Sequence, residues 1–381
     1  MRILLVGEYS RLHNSLKEGL IKNGHEVTLI GSGDLFKNYP VDINIDAHKV
    51  KNNFLINKIR HFIYFTTSID IASIEIISNV KKHKKQLIDY DVVQLINETP
   101  FNIGPYFEKR LLNFIFRNNS NVFLSACGDD HVFISYLLSN QLPYSTFTPF
   151  LKNKKLKKHY KFPLRYITKK HRKLHDFVFK NIKAVIPASV EYSIAYSHIR
   201  KTVPLIPNAV NVDIIQKTPL STEGKIKIFH GINSSNTIKK GHQYFKEALD
   251  YIIQNYNDKI EITTTKDLPY ADYIKKYKEA HIVLDQAQAH DQGYNALEAM
   301  AMGKVVFTGA GSAFRNYYNL DKTVAIDATP DSKKIAQSLE KLILNPKEII
   351  QIGNNAREFI EKEHHYMQIA KKYVETWKIN S

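Results

Sequence analysis

The sequence is short of several features that mark whole classes of protein. Its 381 residues include one cysteine, Cys127, which excludes an internal disulfide and a multi-thiolate metal site, so we expect a reducing, cytoplasmic location. No apolar run approaches the roughly 18 residues that a membrane-spanning helix needs. We expect no secretory signal either, because the apolar run 3–7 is too short for one and suits a first β-strand. Any membrane contact is therefore expected to be peripheral.

What is present is an ordinary globular composition with an excess of positive charge. Hydrophobic residues make up 43% and charged residues 24%, and the length suggests two domains. Lysine and arginine number 54 against 37 aspartate and glutamate, which gives a net charge of +17. Such a surplus predicts an anionic partner: nucleic acid, anionic lipid or a phosphorylated small molecule.

Strands and helices alternate in the first half of the chain. The short apolar segment 2–6 predicts a buried strand, 13–23 has apolar residues at helical spacing, and 25–30 reads as the next strand. A strand, a helix and a strand within about 30 residues form a βαβ unit, which implies a parallel sheet. Later strands of the same sheet are predicted at 92–96, 122–126 and 184–187, followed by a helix over 191–198.

A second alternation follows a polar stretch rich in Pro and Gly, 217–224, which suits a connection between domains. Strands are predicted at 226–230, 260–264, 281–285, 304–308 and 323–326. Helices are predicted at 243–254, 296–302, 332–344, 347–363 and 366–379. The expected fold class is therefore α/β, with two βαβ domains in tandem.

Residues 152–173 differ from the rest in charge. They contain eleven Lys or Arg and no acid, interleaved with aromatic and aliphatic residues. This pattern suits the surface of an anionic membrane, and a solvated basic face is the alternative. Nucleic acid would use such a stretch too, but no nucleic-acid motif accompanies it, so we expect no nucleic-acid partner.

The most specific motif is the segment 291–306, DQGYNALEAMAMGKVV. It resembles the nucleotide-sugar signature of retaining GT-B glycosyltransferases of the family-4 type, in which a Gly-containing loop enters a helix and a Gly turn leads to a buried strand. N–H groups of such a loop and helix N-terminus suit a diphosphate. The resemblance implies two Rossmann-like domains facing across a cleft and transfer of a sugar from a nucleotide-diphosphate donor.

Other segments agree with the resemblance along nearly the whole chain. The loop and helix after the first strand resemble the acceptor side of such enzymes, 207–211 resembles their domain junction, and 230–241 resembles the first strand and basic loop of their donor domain. We therefore expect an acceptor-binding domain at 1–210 and a nucleotide-sugar domain at 211–365. The final helix, 366–381, is expected to pack back on the first domain.

The resemblance also implies roles for individual residues. The donor is expected to contact Glu298, which would accept both ribose hydroxyls, and Gly293, His290, Tyr294, Asn295, His230 and Asn233. The acceptor side is expected to include Glu8, Ser10, His13 and Glu98. Residues expected to act in catalysis are Lys239 and Lys240, which would stabilise charge on the β-phosphate, with Asp129 and His131.

Three positions depart from the family's pattern. His290 stands where the signature carries a second Glu, and Ser235 stands where the basic loop carries an Arg. A His that follows the strand near residue 126 is also missing, so Asp129, Asp130 or His131 would take its role.

No cofactor or metal is expected. The sequence has no Asp-x-Asp clamp, and the side chains of the neighbours Asp129 and Asp130 should diverge. The favoured function is a glycosyltransferase for surface polysaccharide, acting with retention on a glycan or lipid-linked acceptor, with the anionic membrane surface reached through 152–173. The alternatives are a sugar-nucleotide epimerase and a catalytically degenerate GT-B partner protein.

Overall fold

The computed structural model of the protein describes residues 1–34, 39–67, 70–268 and 270–381. They form two entirely parallel β-sheets, one in each half of the chain, with helices on both faces of each sheet. The predicted α/β class, with two Rossmann-like sheets in tandem, is confirmed. The domain boundaries themselves stay a prediction.

The first sheet has six strands in the order β3-β2-β1-β4-β5-β6. Its strands are β1 (Arg2–Val6), β2 (Glu26–Gly31), β3 (Ile43–Asn44), β4 (Val92–Leu95), β5 (Val122–Ala126) and β6 (Val185–Pro187). Side chains of β1 alternate between two cores, because Leu4 and Val6 pack on one face of the sheet and Ile3 and Leu5 on the other. Strands β1, β4, β5 and β6 are largely buried on both faces and rich in apolar residues, which explains why the sequence predicts them.

Ten helices of the first half are described. They are α1 (Leu12–Lys22), α2 (His48–Asn52), α3 (Phe54–Thr67), α4 (Ala72–Lys82), α5 (Pro105–Asn118), α6 (His131–Leu138), α7 (Thr148–Lys152), α8 (Lys161–Leu164), α9 (Lys169–Asn181) and α10 (Val190–Ala195). The core on the face of Leu4 includes residues of α4, α5, α6 and α9. Helix α1 covers the other face.

The second sheet has five strands in the order β11-β10-β9-β7-β8. Its strands are β7 (Ile226–Ile232), β8 (Ile260–Lys266), β9 (Ile282–Leu284), β10 (Val305–Thr308) and β11 (Ile326–Asp327). Its helices are α11 (Thr237–Lys240), α12 (His242–Tyr256), α13 (Tyr270–Glu279), α14 (Tyr294–Ala301), α15 (Ser312–Tyr317), α16 (Ser332–Leu344), α17 (Pro346–Glu363) and α18 (Tyr366–Asn380). Each predicted strand of this half overlaps an observed one, although the predicted strand 323–326 shares only Ile326 with β11.

The two halves are joined by two crossings that run side by side. The backbone N–H of Val210 donates to the His364 carbonyl (2.8 Å), and the N–H of Tyr366 donates to the Val210 carbonyl (3.2 Å). Helix α18 then packs on α1 in the first half, where a side chain at Gly19 would come within 2.3 Å of the Tyr366 carbonyl oxygen. Near the end of α18 the buried indole of Trp377 donates to Gln94 Oε1 (2.9 Å). The last helix therefore ties the end of the chain to the first sheet.

Candidate active site

The candidate site is formed by loops at the carboxyl ends of both sheets, the edge at which parallel α/β sheets bind ligands. In the first half these loops carry Glu8 after β1, Glu98 after β4 and Asp129 after β5. The second half faces them through α14, because the Tyr294 hydroxyl lies 2.7 Å from Ser15 Oγ and donates to the Ala209 carbonyl. Tyr294, expected at the donor, is thus placed at the contact between the halves.

Glu298 lies one turn into α14, as the motif predicts, and its residue is 3% exposed. The helix begins after Gly293, whose extended backbone (φ −70°, ψ 164°) leads the loop into the first turn. Glu298 also acts across the cleft on Arg11, at the start of α1. Burial lowers the pKa of the Arg11 guanidinium, but the nearby groups Glu18, Tyr294 and Glu298 raise it above its usual value. Arg11 was not among the predicted residues.

The two lysines expected at the diphosphate are placed differently. Lys240 Nζ lies 2.8 Å from Asp285 Oδ1, in an ion pair whose acid is almost fully buried after β9. The other oxygen of Asp285 accepts a hydrogen bond from Thr308 Oγ1 (3.1 Å). Lys239 is electrostatically close to Asp129 of the first half: burial raises the pKa of Asp129, and Lys239 opposes that rise. Lys240 therefore has a carboxylate partner, which an incoming phosphate would have to replace.

His290 contacts Tyr144 in the first half of the chain. Its Nε2 donates to the Tyr144 carbonyl (2.7 Å), and its ring stacks on Tyr144 at a centroid distance of 4.3 Å. The next residue, Asp291, accepts a hydrogen bond from the backbone N–H of Glu191 (3.3 Å), and burial raises its pKa to about 6. The donor role expected for His290 stays a prediction, but the Nε2 atom is already used in this contact between the halves.

His230 lies inside the second domain. Its Nε2 is 2.8 Å from Nδ1 of His242, and its ring packs edge-on against Phe245. Burial lowers the pKa of His230 to about 3 and that of His242 to about 4, so both rings are neutral at pH 7. These contacts give His230 a packing role, and the donor role expected for it stays a prediction.

The remaining predicted donor residues lie at the rim of the second half. Asn233 is exposed, and its side-chain oxygen accepts from the backbone N–H (3.0 Å) and the hydroxyl (2.6 Å) of Ser235. Asn295 is half-buried, and its carbonyl accepts from Tyr277. The Asn233 contacts shape the loop after β7, and the Asn295 contact joins α13 to α14.

The loop after β1 has a strained backbone and buried polar groups. Gly7, Ser10 and Arg11 all have positive φ (89°, 52° and 69°). Glu8 Oε2 accepts from both the backbone and the side-chain amide of Asn14 (2.8 and 2.7 Å), while its Oε1 is buried with no hydrogen-bond partner among the described residues. Burial raises the pKa of Glu8 to about 8, so this carboxyl is mostly protonated at neutral pH. Backbone strain of this kind concentrates at functional sites.

His13 adds a second unsatisfied atom to the same loop. Its Nδ1 donates to the Gly7 carbonyl (2.8 Å), and burial lowers its pKa to about 4. Its Nε2 is buried and has no hydrogen-bond partner in the described part of the chain. Ser10 is held nearby, because its backbone N–H donates to Asp34 Oδ2 (2.8 Å).

Glu98 and His131 both contact His175, which is not among the predicted site residues. His175 on α9 donates from Nδ1 to Glu98 Oε1 (2.6 Å), and its ring lies 4.8 Å from the ring of His131. His131 in turn donates from Nδ1 to the Tyr166 carbonyl (3.0 Å). Three titratable side chains, from the loop after β4, from α6 and from α9, are thereby brought together.

Asp130 has a structural role. Its Oδ1 accepts from the backbone N–H of Phe133 (2.7 Å), which caps α6, and its Oδ2 accepts from the Tyr196 hydroxyl (2.7 Å). Among the described residues there is no cluster of three His, Cys, Asp or Glu side chains that could hold a metal ion.

The basic stretch 152–173 is folded onto the first domain as short helical turns. Tyr160 and Tyr166 are buried in its core, whereas most of its Lys and Arg residues are exposed. Its middle reaches the candidate site, since Arg165 donates to the Tyr166 hydroxyl (2.8 Å) and also lowers the pKa of Asp129 against the effect of burial. Part of the stretch is therefore a wall of the site.

A protein-family model matches part of the second half of the chain. Residues 234–375 match the model of a family described as glycosyl transferase-like. No curated protein sequence matches the chain.

Solved structures resemble the whole chain. HepE of Anabaena, solved with UDP and glucose, has 13% identity and a TM-score of 0.60, with 100% of each chain covered. Sucrose-phosphate synthase of Thermosynechococcus elongatus has 12% identity and a TM-score of 0.59, covering 100% of this chain and 99% of that one. UDP-GlcNAc 2-epimerase of Neisseria meningitidis, solved with UDP-GlcNAc, has 13% identity and a TM-score of 0.51 over 100% of both chains. The chain has the GT-B fold, which confirms the expected architecture.

Proposed function

We propose that the protein transfers a sugar from a nucleotide-diphosphate donor to a glycan or lipid-linked acceptor of a surface polysaccharide, with retention of configuration. The observation that carries the proposal is the buried Glu298 on α14. It lies at the carboxyl end of the second sheet, inside the glycosyl transferase-like match and opposite the first loop of the other half.

The donor's nucleotide would bind the second half. Glu298 would accept hydrogen bonds from the two ribose hydroxyls, since a carboxylate has oxygens for both. The diphosphate would lie against the loop at Gly293 and the N–H groups that open α14. Lys239 and Lys240 would stabilise the charge that grows on the β-phosphate as the glycosidic bond stretches, and binding would exchange Asp285 for phosphate as the partner of Lys240.

The acceptor would lie against the first half. The Glu98–His175 pair, with His131 beside it, offers hydrogen-bond acceptors and donors for a sugar hydroxyl. The carboxyl of Glu8, largely protonated at neutral pH, could donate a hydrogen bond from its unpartnered oxygen to a ligand in the cleft. Hydrogen bonds from the backbone and side-chain amides of Asn14 hold that carboxyl in place.

The degenerate-partner alternative has specific support. Lys240 is already paired with Asp285, and His290 Nε2 is engaged with Tyr144, so two residues expected at the donor are occupied. A chain that binds a nucleotide without turning over its sugar ester would favour this alternative over the transferase.

The test is a two-stage assay. First, nucleoside diphosphates with different bases are screened for a rise in melting temperature, because a ligand that binds the native state stabilises it by mass action. Second, the matching nucleotide sugars are incubated with the protein and the products analysed by NMR. Slow release of free sugar with retained anomeric configuration supports the transferase, whereas a changed sugar that stays on the nucleotide identifies an epimerase. Binding without any product identifies an inert partner.

A further inference from the structure

Helix α3 presents an apolar surface to solvent. Phe54, Leu55 and Ile59 are 70%, 70% and 54% exposed. At about 100° of rotation per residue, these three side chains and Lys58 lie within an arc of about 140° on one side of the helix. Clustered exposed apolar residues of this kind mark interaction surfaces. The name α3 stripe is used below for Phe54, Leu55, Lys58 and Ile59.

The α3 stripe has the chemistry of a helix that lies in a membrane interface. Lys58 Nζ is 4.4 Å from the centre of the Phe54 ring, so its charge stands at the edge of the apolar surface. A lysine in this position can bury its methylene groups with the neighbouring apolar residues and keep its ammonium at the level of the lipid headgroups. Among the described residues no helix is long and apolar enough to cross a bilayer.

The positive charge of the first half favours an anionic surface over a second copy of the chain as the partner of the α3 stripe. Residues 1–210 contain 31 Lys and Arg against 16 Asp and Glu, whereas 211–381 contain 23 against 21. Nearly the whole positive excess thus lies in the half that carries α3. Two copies that met through this half would repel each other, while an anionic surface would attract it.

The basic stretch 152–173 belongs to the same layer of the fold. Helix α2, which packs against α3, also packs on α4, and α4, α5 and α9 cover one face of the first sheet. Within the basic stretch, Phe162 and Ile167 are 50% and 40% exposed among lysines. Both segments therefore combine exposed apolar side chains with cations, and packing links both to the helices over one sheet face.

We propose that this half of the protein docks on an anionic lipid bilayer, with the α3 stripe inserted among the headgroups and the basic stretch 152–173 supplying electrostatic attraction. The contact goes beyond sugar transfer and needs neither donor nor acceptor. An experiment without either compound therefore tests it independently of the proposed activity.

The experiment uses the full chain and two kinds of vesicle, phosphatidylcholine alone and phosphatidylcholine with about one third phosphatidylglycerol. We expect sedimentation with the anionic vesicles only, and a bound fraction that falls as salt is raised. The double variant Leu55→Ser/Ile59→Ser should lower partitioning by about tenfold or more, because two apolar side chains are lost from the interface. The matched control Leu344→Ser, at a residue 55% exposed in the other half, should bind like the parent chain.

Charge is tested separately. Lys157→Gln/Lys158→Gln in the basic stretch should lower partitioning by about tenfold, whereas Lys333→Gln/Lys334→Gln on α16 should leave it unchanged. Insertion is read from Phe54→Trp: its emission should shift to the blue with anionic vesicles and be quenched by brominated lipid. The natural Trp377 is fully buried and supplies a constant background.

Several results would overturn the proposal. They are absence of binding to anionic vesicles, equal binding by the α3 variant and its control, and a Phe54→Trp emission that lipid does not change. A dimer in solution that dissociates on Leu55→Ser/Ile59→Ser would overturn it too, because the stripe would then belong to a second copy of the chain. Circular dichroism of each variant, unchanged from the parent, shows that the substitutions leave the fold intact.

Discussion

The two halves of the molecule build their sides of the cleft in different ways. In the second half several candidate donor residues are close in sequence: His290, Gly293 and Glu298 lie within one loop and the helix α14 that follows it. In the first half Glu98, His131 and His175 come from three separate elements and meet only through packing. The halves also differ in charge, since residues 1–210 hold nearly all of the positive excess. In the proposed function, a compact local motif would hold the nucleotide and a dispersed cluster would face the acceptor.

The largest effect is expected at Glu298. Glu298→Ala should weaken nucleoside diphosphate binding about a hundredfold or more, because two hydrogen bonds to a charged group are lost. Calorimetric titration measures the loss, and Glu358→Ala on the exposed face of α17 is the matched control. An unchanged affinity in Glu298→Ala would show that the nucleotide does not bind at Glu298. It would also contradict the proposed difference between the two halves.

The next effect separates the two sides of the cleft. His175→Ala should lower acceptor-dependent turnover by about ten- to a hundredfold, as expected for a lost acid–base or orienting group. Its affinity for nucleoside diphosphate should stay that of the parent chain, and Glu98→Gln should behave in the same way. His159→Ala, at an exposed histidine of the same half, is the control. A matching fall in affinity for nucleoside diphosphate would show that donor and acceptor binding are not separated between the two halves.

A smaller effect tests the phosphate contact. Lys240→Gln should weaken nucleoside diphosphate binding about tenfold and leave nucleoside binding unchanged, because the lost attraction acts on the phosphates alone. Lys246→Gln, at an exposed lysine of α12, should change neither. Equal weakening of both ligands would mean that Lys240 supports the loop through Asp285 instead of contacting phosphate.

The smallest effect concerns the free energy of unfolding, which a buried histidine in each half should lower by the same amount as the pH falls. His13 in the first half and His230 in the second have pKa values lowered by burial to about 4 and about 3, so the unfolded state binds protons first as the pH falls below 6.5. Each histidine should cost about 1 kcal/mol of unfolding free energy between pH 6.5 and 5.5. Urea unfolding at the two pH values measures this cost. His230→Gln should reduce the loss by that amount, and His159→Gln should not; an unchanged loss in both would place a charged ring inside the fold.

The fold was readable from sequence wherever the chain is buried on both sides. Strands such as β1 and β5 are continuous apolar runs, and the repeat of strand and helix predicts their parallel pairing. Helices α2 to α9, α11, α13 and α15 and the two-residue β3 were not predicted. Seven of these eleven helices have ten residues or fewer, and helices this short depend on tertiary packing for their stability.

The candidate site could be predicted only in part, because some of its residues come together through tertiary packing. The helix of Glu298 was found because its residues follow one another in a motif. His175 reaches Glu98 over a separation of 77 residues through the packing of α9, and no local pattern signals that approach. His290 looked like a donor contact because of its place in the motif, yet its Nε2 bonds the carbonyl of Tyr144, which is 146 residues away.

A crystal structure of the chain with the nucleoside diphosphate that raises its melting temperature most tests the central claim directly. The account predicts both ribose hydroxyls within about 3 Å of the Glu298 carboxylate and the diphosphate at the loop of Gly293, with Lys240 turned from Asp285 to phosphate. A nucleotide bound elsewhere, or a cleft that stays empty while Lys240 keeps its contact with Asp285, would contradict it.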